Sequence, residues 1–366
     1  MTETTRNAGT TLSDARARAA FRRVLLHWFR RHARELPWRE TKDPYRIWLS
    51  ETMLQQTRVE TVVPYYARFV RKFPTVQALA AAADDDVLEM WAGLGYYRRA
   101  RNLLKAAQLV AQERDGQLPT DATALRRLPG VGRYTAGAVA SIAFGKRAPV
   151  LDGNVKRVLA RLFQIESAID APRTIARLWA LAEELVPRTR PGDFNQAVME
   201  LGALVCLPKN PACSRCPVRR WCSAESSGRQ HDLPLRRPKR RVPQIEAVAA
   251  AVCKNGRILM VKRPADELLG GLWELPGGPL DDAETHTAAL KRHLSHELGI
   301  RIDVRDSLGT VTHAFSHRTL RLHIYRCRHL RGRLVPRRHE AARWVSRSGF
   351  ERLALASLDR KVLRRL

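Results

Sequence analysis

Four cysteines, Cys206, Cys213, Cys216 and Cys222, fall within seventeen residues in the spacing C-x6-C-x2-C-x5-C, and only Cys253 and Cys327 lie elsewhere in the 366-residue chain. A cytosolic chain keeps its thiols reduced, so disulfides explain the cluster poorly. A metal centre explains it better, because a cation offsets the cost of crowding four ionised sulfurs. Structural zinc usually draws on two C-x2-C knuckles. With one tight pair and two wider loops, an iron–sulfur cube fits the spacing better. A second candidate is Leu128-Pro-Gly-Val-Gly-Arg133. There Gly130 and Gly132 permit a tight turn with outward N–H groups, and the next helix adds its positive dipole end. Gly130, Val131 and Gly132 can thus hold a phosphate without reading sequence. The third candidate is a pair of carboxyl groups, Glu51 and Asp152. Two carboxyls with opposed pKa shifts can divide the breaking of a glycosidic bond, one protonating the leaving group and one stabilising the sugar cation. On a helix Glu51 shares a face with Ile47, Trp48 and Leu54, and apolar neighbours would raise its pKa. Periodicity alone favours a helix-end glutamate turned to solvent.

The elements that must position these residues divide into two kinds. Asp14 to Glu35 reads as a helix, with Phe21, Val24, Leu25, Trp28 and Phe29 at i, i+3, i+4, i+7 and i+8, closed by Pro37. Similar stretches follow, broken at Pro44, Pro74, Gly93–Gly95, Pro119, Pro129–Gly132 and Pro149. No alternating pattern occurs before about residue 240, so residues 14–225 are expected to be an all-helical domain, after a disordered extension at 1–13. Arg229 to Val242 carries six Lys/Arg against one Asp, which marks 226–243 as a basic linker. Beyond it, Glu246–Cys253 and Arg257–Lys262 read as strands around an Asn255–Gly256 turn. Thr285–Leu298 reads as a helix and Leu320–Arg326 as a strand. Residues 244–366 therefore form a second, α+β domain. Lys plus Arg is 65 against 36 Asp plus Glu, a net charge of +29 that suits a polyanionic partner. No apolar run reaches bilayer length and no signal-peptide core follows Met1, which argues against membrane and secreted classes.

The Cys spacing is similar to the 4Fe–4S loop of the endonuclease III/MutY group of DNA glycosylases. Leu128–Arg133, with Pro149 and Asp152 following, resembles the helix-hairpin-helix-Gly/Pro-Asp superfamily. Leu36-Pro-Trp-Arg39, Trp48-Leu-Ser-Glu51, Met53-Leu-Gln-Gln-Thr57, Gly93-Leu-Gly-Tyr-Tyr97 and Leu151-Asp-Gly-Asn-Val-Lys-Arg157 together resemble the MutY-type adenine DNA glycosylases over nearly the whole first domain. The resemblance implies that Glu51 protonates adenine N7 and that Asp152 stabilises or traps the sugar cation, supported by Asn154 and Tyr134. It puts Gln55 and Tyr96 at a wedge beside the mispaired base. Trp38, Arg39 and Glu200 fall around an adenine flipped out of the duplex. It also implies one 4Fe–4S cluster on Cys206, Cys213, Cys216 and Cys222 in a loop at 206–222. The partner would be duplex DNA with adenine opposite 8-oxoguanine or guanine, engaged by a monomer in the cytoplasm, at the nucleoid. Related glycosylase/lyases carry a nucleophilic lysine where this chain has Tyr134, and a tyrosine forms no Schiff base. Base removal without strand cleavage is the expectation.

Gly278 to Ile300 fits the Nudix frame in length, with Gly278, Glu284, Arg292, Leu294, Glu297, Gly299 and Ile300 in place. His293 and His296 replace two carboxylates that would hold magnesium, a hard cation seeking oxygen. That argues against pyrophosphate hydrolysis. By resemblance the domain recognises 8-oxoguanine through Phe315, Ser316 and His317. Three rival readings are a glycosylase/lyase for oxidised pyrimidines, a nucleotide-pool pyrophosphatase on 244–366, and a non-catalytic DNA-binding redox sensor.

Overall fold

In the computed structural model, residue 12 and residues 14–238, 242–315 and 318–363 are described. The expectations for 1–13, apart from Leu12, and for Ser316 and His317 fall outside them. Among the described residues eleven α-helices come first: α1 Ala15–His32, α2 Pro44–Met53, α3 Val59–Lys72, α4 Val76–Ala80, α5 Asp84–Trp91, α6 Arg98–Arg114, α7 Ala122–Leu125, α8 Arg133–Ile142, α9 Gly153–Leu162, α10 Pro172–Leu185 and α11 Pro191–Leu204. A short α12, Ser223–Ser226, follows the cysteine loop. Among the described residues no strand precedes Gln244, and no helix is long and apolar enough to cross a membrane.

The chain forms two compact units. One comprises residues 1–70, 75–77 and 106–239, and the other 71–74, 78–105 and 240–366. The second unit thus takes in the end of α4, all of α5 and the start of α6, which the sequence had placed with the other helices. Tyr97 Oη donates to Leu355 O at 3.1 Å and Lys262 pairs with Asp85 at 2.9 Å, which ties that helical segment to the sheet. The linker expectation shifts as well. Leu233 is buried, Arg161 Nε donates to its carbonyl at 2.8 Å, and Ile169 N donates to Leu235 O at 2.8 Å. Residues 226–238 therefore lie along the helical unit, because Leu233 and its carbonyl fill a slot that the basic composition does not announce.

In the helical unit, local chemistry fixes where helices begin. Asp14 caps α1 by accepting from Ala17 N at 2.6 Å, and Asp43 caps α2 from Tyr45 N at 2.9 Å with Pro44 at the first helical position. Close approach then locks α8 to its neighbours. A Cβ on Gly137 would meet Pro149 O at 2.1 Å, and one on Gly192 would meet Ser141 O at 2.5 Å. Asn195 Nδ2 donates to Ala148 O and Ser141 Oγ, both at 2.8 Å. The loop leading into Asp152 is therefore clamped between α8 and α11.

The second unit is a mixed seven-stranded sheet: β1 Gln244–Lys254, β2 Arg257–Lys262, β3 Trp273–Glu274, β4 Gly277–Pro279, β5 Arg301–Ala314, β6 Thr319–Arg331 and β7 Ala341–Val345. Its main path runs β3-β2-β1-β6-β5, with β1 and β6 parallel, β4 beside β1 and β7 beside β2. Asn255 (φ +49°) and Gly256 (φ +69°) make the turn expected between β1 and β2. Alternate residues of β1 feed opposite cores. Val248, Ala250 and Val252 meet Leu290, Leu294 and Leu298 of α13 (His286–Leu298), whereas Ala247, Ala249 and Ala251 meet Leu353, Leu355 and Leu358.

Gly137→Ala should destabilise the helical unit by about 2 kcal/mol, because the backbone at Pro149 has no slack to yield to a methyl group. Urea unfolding of both chains measures it, and a loss under about 0.5 kcal/mol would contradict the clamp.

Candidate active site

Every side chain of α2 from Ile47 to Met53 is buried, so Glu51 has no solvent to turn to and is 5% exposed. The helix-end reading that periodicity favours is thereby corrected: a helix buried all round shows no polar face to period analysis. Tyr134, in the first turn of α8, donates its hydroxyl to Glu51 Oε2 at 2.6 Å and also approaches Met199 Sδ at 3.3 Å. Asp152 is the N-cap of α9 and accepts from Val155 N at 2.7 Å and Asn154 Nδ2 at 3.1 Å. Glu51, Tyr134, Asp152 and Asn154 line one cavity of about 670 Å³, together with Trp38, Arg39, Gln55, Glu200, Gly130 and Gly132. Two other expected residues, Tyr96 and Phe315, belong to the second unit. Tyr96 is 49% exposed with φ +50°, and Phe315 N donates to Arg318 O at 2.8 Å across the hairpin tip.

Electrostatics separates the carboxyls. Burial pushes the Glu51 pKa up to about 7, opposed by the Tyr134 hydrogen bond and reinforced by the nearby charge of Asp152. Burial also raises Asp152, but the Val155 N–H, the Asn154 amide and the Arg157 charge pull the other way. Burial would raise Glu200 too, yet Arg34 and Arg39 overcome it and hold that carboxyl down at about 2. Arg34 donates Nε and Nη2 to Glu200 at 2.9 Å, and Arg39 donates Nη2 at 2.8 Å and Nη1 at 3.1 Å. The cavity thus holds one carboxyl, Glu51, that ionises only near neutrality and another, Glu200, that is already ionised there.

Several supporting residues escape a sequence reading. Arg34 carries half of the Glu200 network, Lys156 lines the cavity, and Thr135 receives a hydrogen bond from Gln55 Nε2 at 3.1 Å. Arg157 is 7% exposed and donates to Asn154 Oδ1 at 2.8 Å, to Gly202 O at 2.7 Å and to Cys206 O at 2.7 Å. A continuous chain of hydrogen bonds thus joins Asp152 to the first cysteine. Gly202 permits it, since a Cβ there would meet Asn154 Cβ at 2.7 Å. The lone usable hint was the Leu-Asp-Gly-Asn-Val-Lys-Arg157 string itself. At the hairpin, Val131 N donates to Leu128 O at 3.1 Å and closes the turn. Its N–H is thus engaged within the turn. Gly130 takes φ +76°, and Gly132 caps α8.

The four cysteines are free thiols lining one small cavity with Arg161, Arg219 and Glu225. Burial pushes Cys216 up to about 12 and Cys222 up to about 11, with the other thiols adding to the rise. Arg161 donates to Cys206 Sγ at 3.2 Å. Among the described residues no three such groups already stand in ligating geometry. The donor set is nevertheless all soft sulfur facing one space, which fits an iron–sulfur group and not a hard cation.

In the Nudix frame, Glu284 is bound by Arg292, whose Nε donates at 2.8 Å. His293 is buried, with Nδ1 2.9 Å from Glu297 Oε1 and Nε2 2.9 Å from Pro279 O. Both partners are acceptors, so the ring donates from both nitrogens as an imidazolium, and the Glu297 hydrogen bond raises its pKa. Its ring presses on Gly278, where a Cβ would meet it at 2.3 Å. Glu297 is taken by a cation the protein itself supplies. His296 is exposed.

Residues 49–184 match the HhH-GPD superfamily of base excision DNA repair proteins, and residues 247–365 match the NUDIX domain. Fold and site therefore define a DNA N-glycosylase, a hydrolase of N-glycosyl bonds, that carries a Nudix-like C-terminal domain. The adenine DNA glycosylase of Rattus norvegicus is 38% identical over an alignment of 407 residues covering 96% of this chain and 79% of the rat protein. That of Homo sapiens is 38% identical, covering 94% of this chain and 73% of its own. The structure of a thermostable thymine-DNA glycosylase superposes with a TM-score of 0.53 at 32% identity, covering 57% of this chain and 97% of its own. The chain belongs to the adenine DNA glycosylase family.

The raised Glu51 pKa has a stability consequence with a definite sign. Below the unfolded value of 4.5 both states are protonated and nothing is lost. As pH rises from there to about 7 the unfolded chain ionises while the folded one resists, so stability falls. Glu51→Gln removes the loss. Its chain should match the parent in acid and exceed it at slightly alkaline pH by about 3 kcal/mol, read from denaturant midpoints across pH. Equal midpoints at every pH would contradict the burial argument.

Proposed function

We propose that this chain excises adenine mispaired with 8-oxoguanine or guanine in duplex DNA, and leaves the abasic strand uncut. The observation that carries this reading is the Glu51–Tyr134 pair beside Asp152 in a single cavity. With Tyr134 donating to Oε2, Oε1 is free to carry the proton that Glu51 gives to adenine N7. Protonation makes the base a neutral leaving group, and the C1′–N9 bond breaks with its electrons passing to the ring. Asp152, anchored at the α9 N-terminus, stabilises the positive charge left on the sugar, and Asn154 holds its orientation. Water adds at C1′ and releases a proton. Trp38, Arg39 and Glu200 surround the extruded base, while Gln55 and Tyr96 occupy the space it leaves in the duplex. Gly130 and Gly132 present backbone donors to a phosphate.

The Nudix-like domain supplies lesion preference through Phe315, with Ser316 and His317 beside it. Its frame does no hydrolysis, because His293 and Arg292 hold the carboxylates that a magnesium ion would need. Cys206, Cys213, Cys216 and Cys222 hold one 4Fe–4S cluster. A bound cluster supplies a rigid tie across the 206–222 loop, and Arg157 carries that order to Asn154. One observation favours a lyase instead: Lys156 lines the cavity, and an amine there could attack C1′.

A duplex with adenine opposite 8-oxoguanine separates the two. Strand breaks should appear only after hot alkali, Glu51→Gln should abolish them, and the single-turnover rate should fall as pH rises through about 7, where Glu51 loses its proton. Breaks without alkali that vanish in Lys156→Ala would establish the lyase. Purified chain should contain about four irons, and Cys216→Ser should lower that content. Stoichiometric zinc without iron would overturn the cluster assignment.

A further inference from the structure

The helical unit has a second concavity, of about 750 Å³, whose lining shares no residue with the catalytic cavity. One wall is α1, and the other is built from Arg147 after α8 and the segment between α10 and α11. Six arginines line it: Arg22, Arg23, Arg30, Arg147, Arg188 and Arg190. Three are committed to the fold. Arg22 donates to Glu184 O and Leu185 O at 2.8 Å, and Arg147 donates to Val186 O at 3.1 Å, which places cations on the C-terminal carbonyls of α10. Arg190 pairs with Asp193. The other three, Arg23, Arg30 and Arg188, are exposed, and their side chains meet no carboxylate among the described residues. Gathering unpaired cations beside others costs folding free energy through self-repulsion. Such a cluster suits an anionic ligand that supplies the missing charge.

We propose that this concavity binds the phosphate backbone of duplex DNA flanking the mispair. Helix geometry favours a strand over a compact anion. Arg23 and Arg30 are seven residues apart on one face of α1, about 10 Å along its axis, or roughly three nucleotide steps of a duplex. Arg34 lies past the end of α1, in the catalytic cavity, and its charge is taken by Glu200, so it is not one of the cluster's free cations. Arginine suits the role, since its planar fork takes phosphate oxygens in pairs. The inference rests on duplex DNA being the substrate.

The test compares the full chain with Arg23→Ala/Arg30→Ala/Arg188→Ala, after thermal melting shows that both fold. Binding to a long duplex and to one ending at the mispair's immediate flanks is measured against salt. With the long duplex, the slope of log affinity on log salt should fall by about 2.7, which is 0.9 for each of three phosphates, and affinity should drop about tenfold or more. The short duplex and the single-turnover excision rate at saturating enzyme should be unchanged. An unaltered slope on the long duplex overturns the proposal, as does an equal loss on both duplexes. So does tight binding of inorganic pyrophosphate by the parent alone with no change in DNA affinity. Failure of the parent to excise adenine or bind either duplex would instead strike the functional reading itself.

Discussion

A carboxyl group enclosed by apolar helix, kept neutral and held by one phenol, is the constraint on which the catalytic unit is built. Desolvating an ionised carboxylate is far more costly than desolvating a neutral one, so enclosure of Glu51 within α2 is what holds the proton on. A fully apolar surround would strand the group without a partner. Tyr134 prevents that with one 2.6 Å hydrogen bond, and it does so without supplying a positive charge that would strip the proton away. A lysine at that position would pair with Glu51 and depress its pKa, changing both the acid and the available nucleophile at once.

The cations of the site are arranged to respect the same constraint. Arg39 lies close enough to lower the Glu51 pKa, and Arg34 lies beside it. Both guanidinium groups are instead engaged by Glu200, which they hold ionised at about 2. One carboxylate absorbs two cations so that its neighbour stays an acid. Asp152 is raised by burial as well, but a helix N-terminus, an amide and, through Asn154, the buried Arg157 all work against that rise. Glu51 and Glu200, two groups of the same intrinsic acidity, are driven apart by what surrounds them.

How much of this was legible in the chain depends on the range over which each feature is encoded. Caps and turns are local, so Asp14, Thr285 and Asn255–Gly256 could be placed directly, and α13 differs from expectation only in that Thr285 caps it instead of joining it. The burial of Glu51 was not legible from periodicity, because α2 is enclosed on every side. Its motif pointed to a role that the amphipathic pattern did not. Arg34 and Arg157 act across 166 and 49 residues of sequence, and nothing near them marks their partners. The long β5 and β7 were unmarked too. β5 carries Asp303, Arg305 and Asp306 and shifts register twice after Val304, which disrupts alternation. The assignment of 78–105 to the second unit depends on contacts such as Tyr97 with Leu355, 258 residues away.

The Nudix-like unit shows the same physics at a different cluster. A magnesium site gathers carboxylates whose mutual repulsion the ion relieves. Where His293 replaces one of them, the imidazolium supplies a positive charge, donates to Glu297, and with its other nitrogen fastens α13 to the carbonyl of Pro279 at the end of β4. The helix and sheet edge that an ion would have joined are joined by a side chain. The geometry that a dissociable cation would maintain is here maintained by a covalently tethered one.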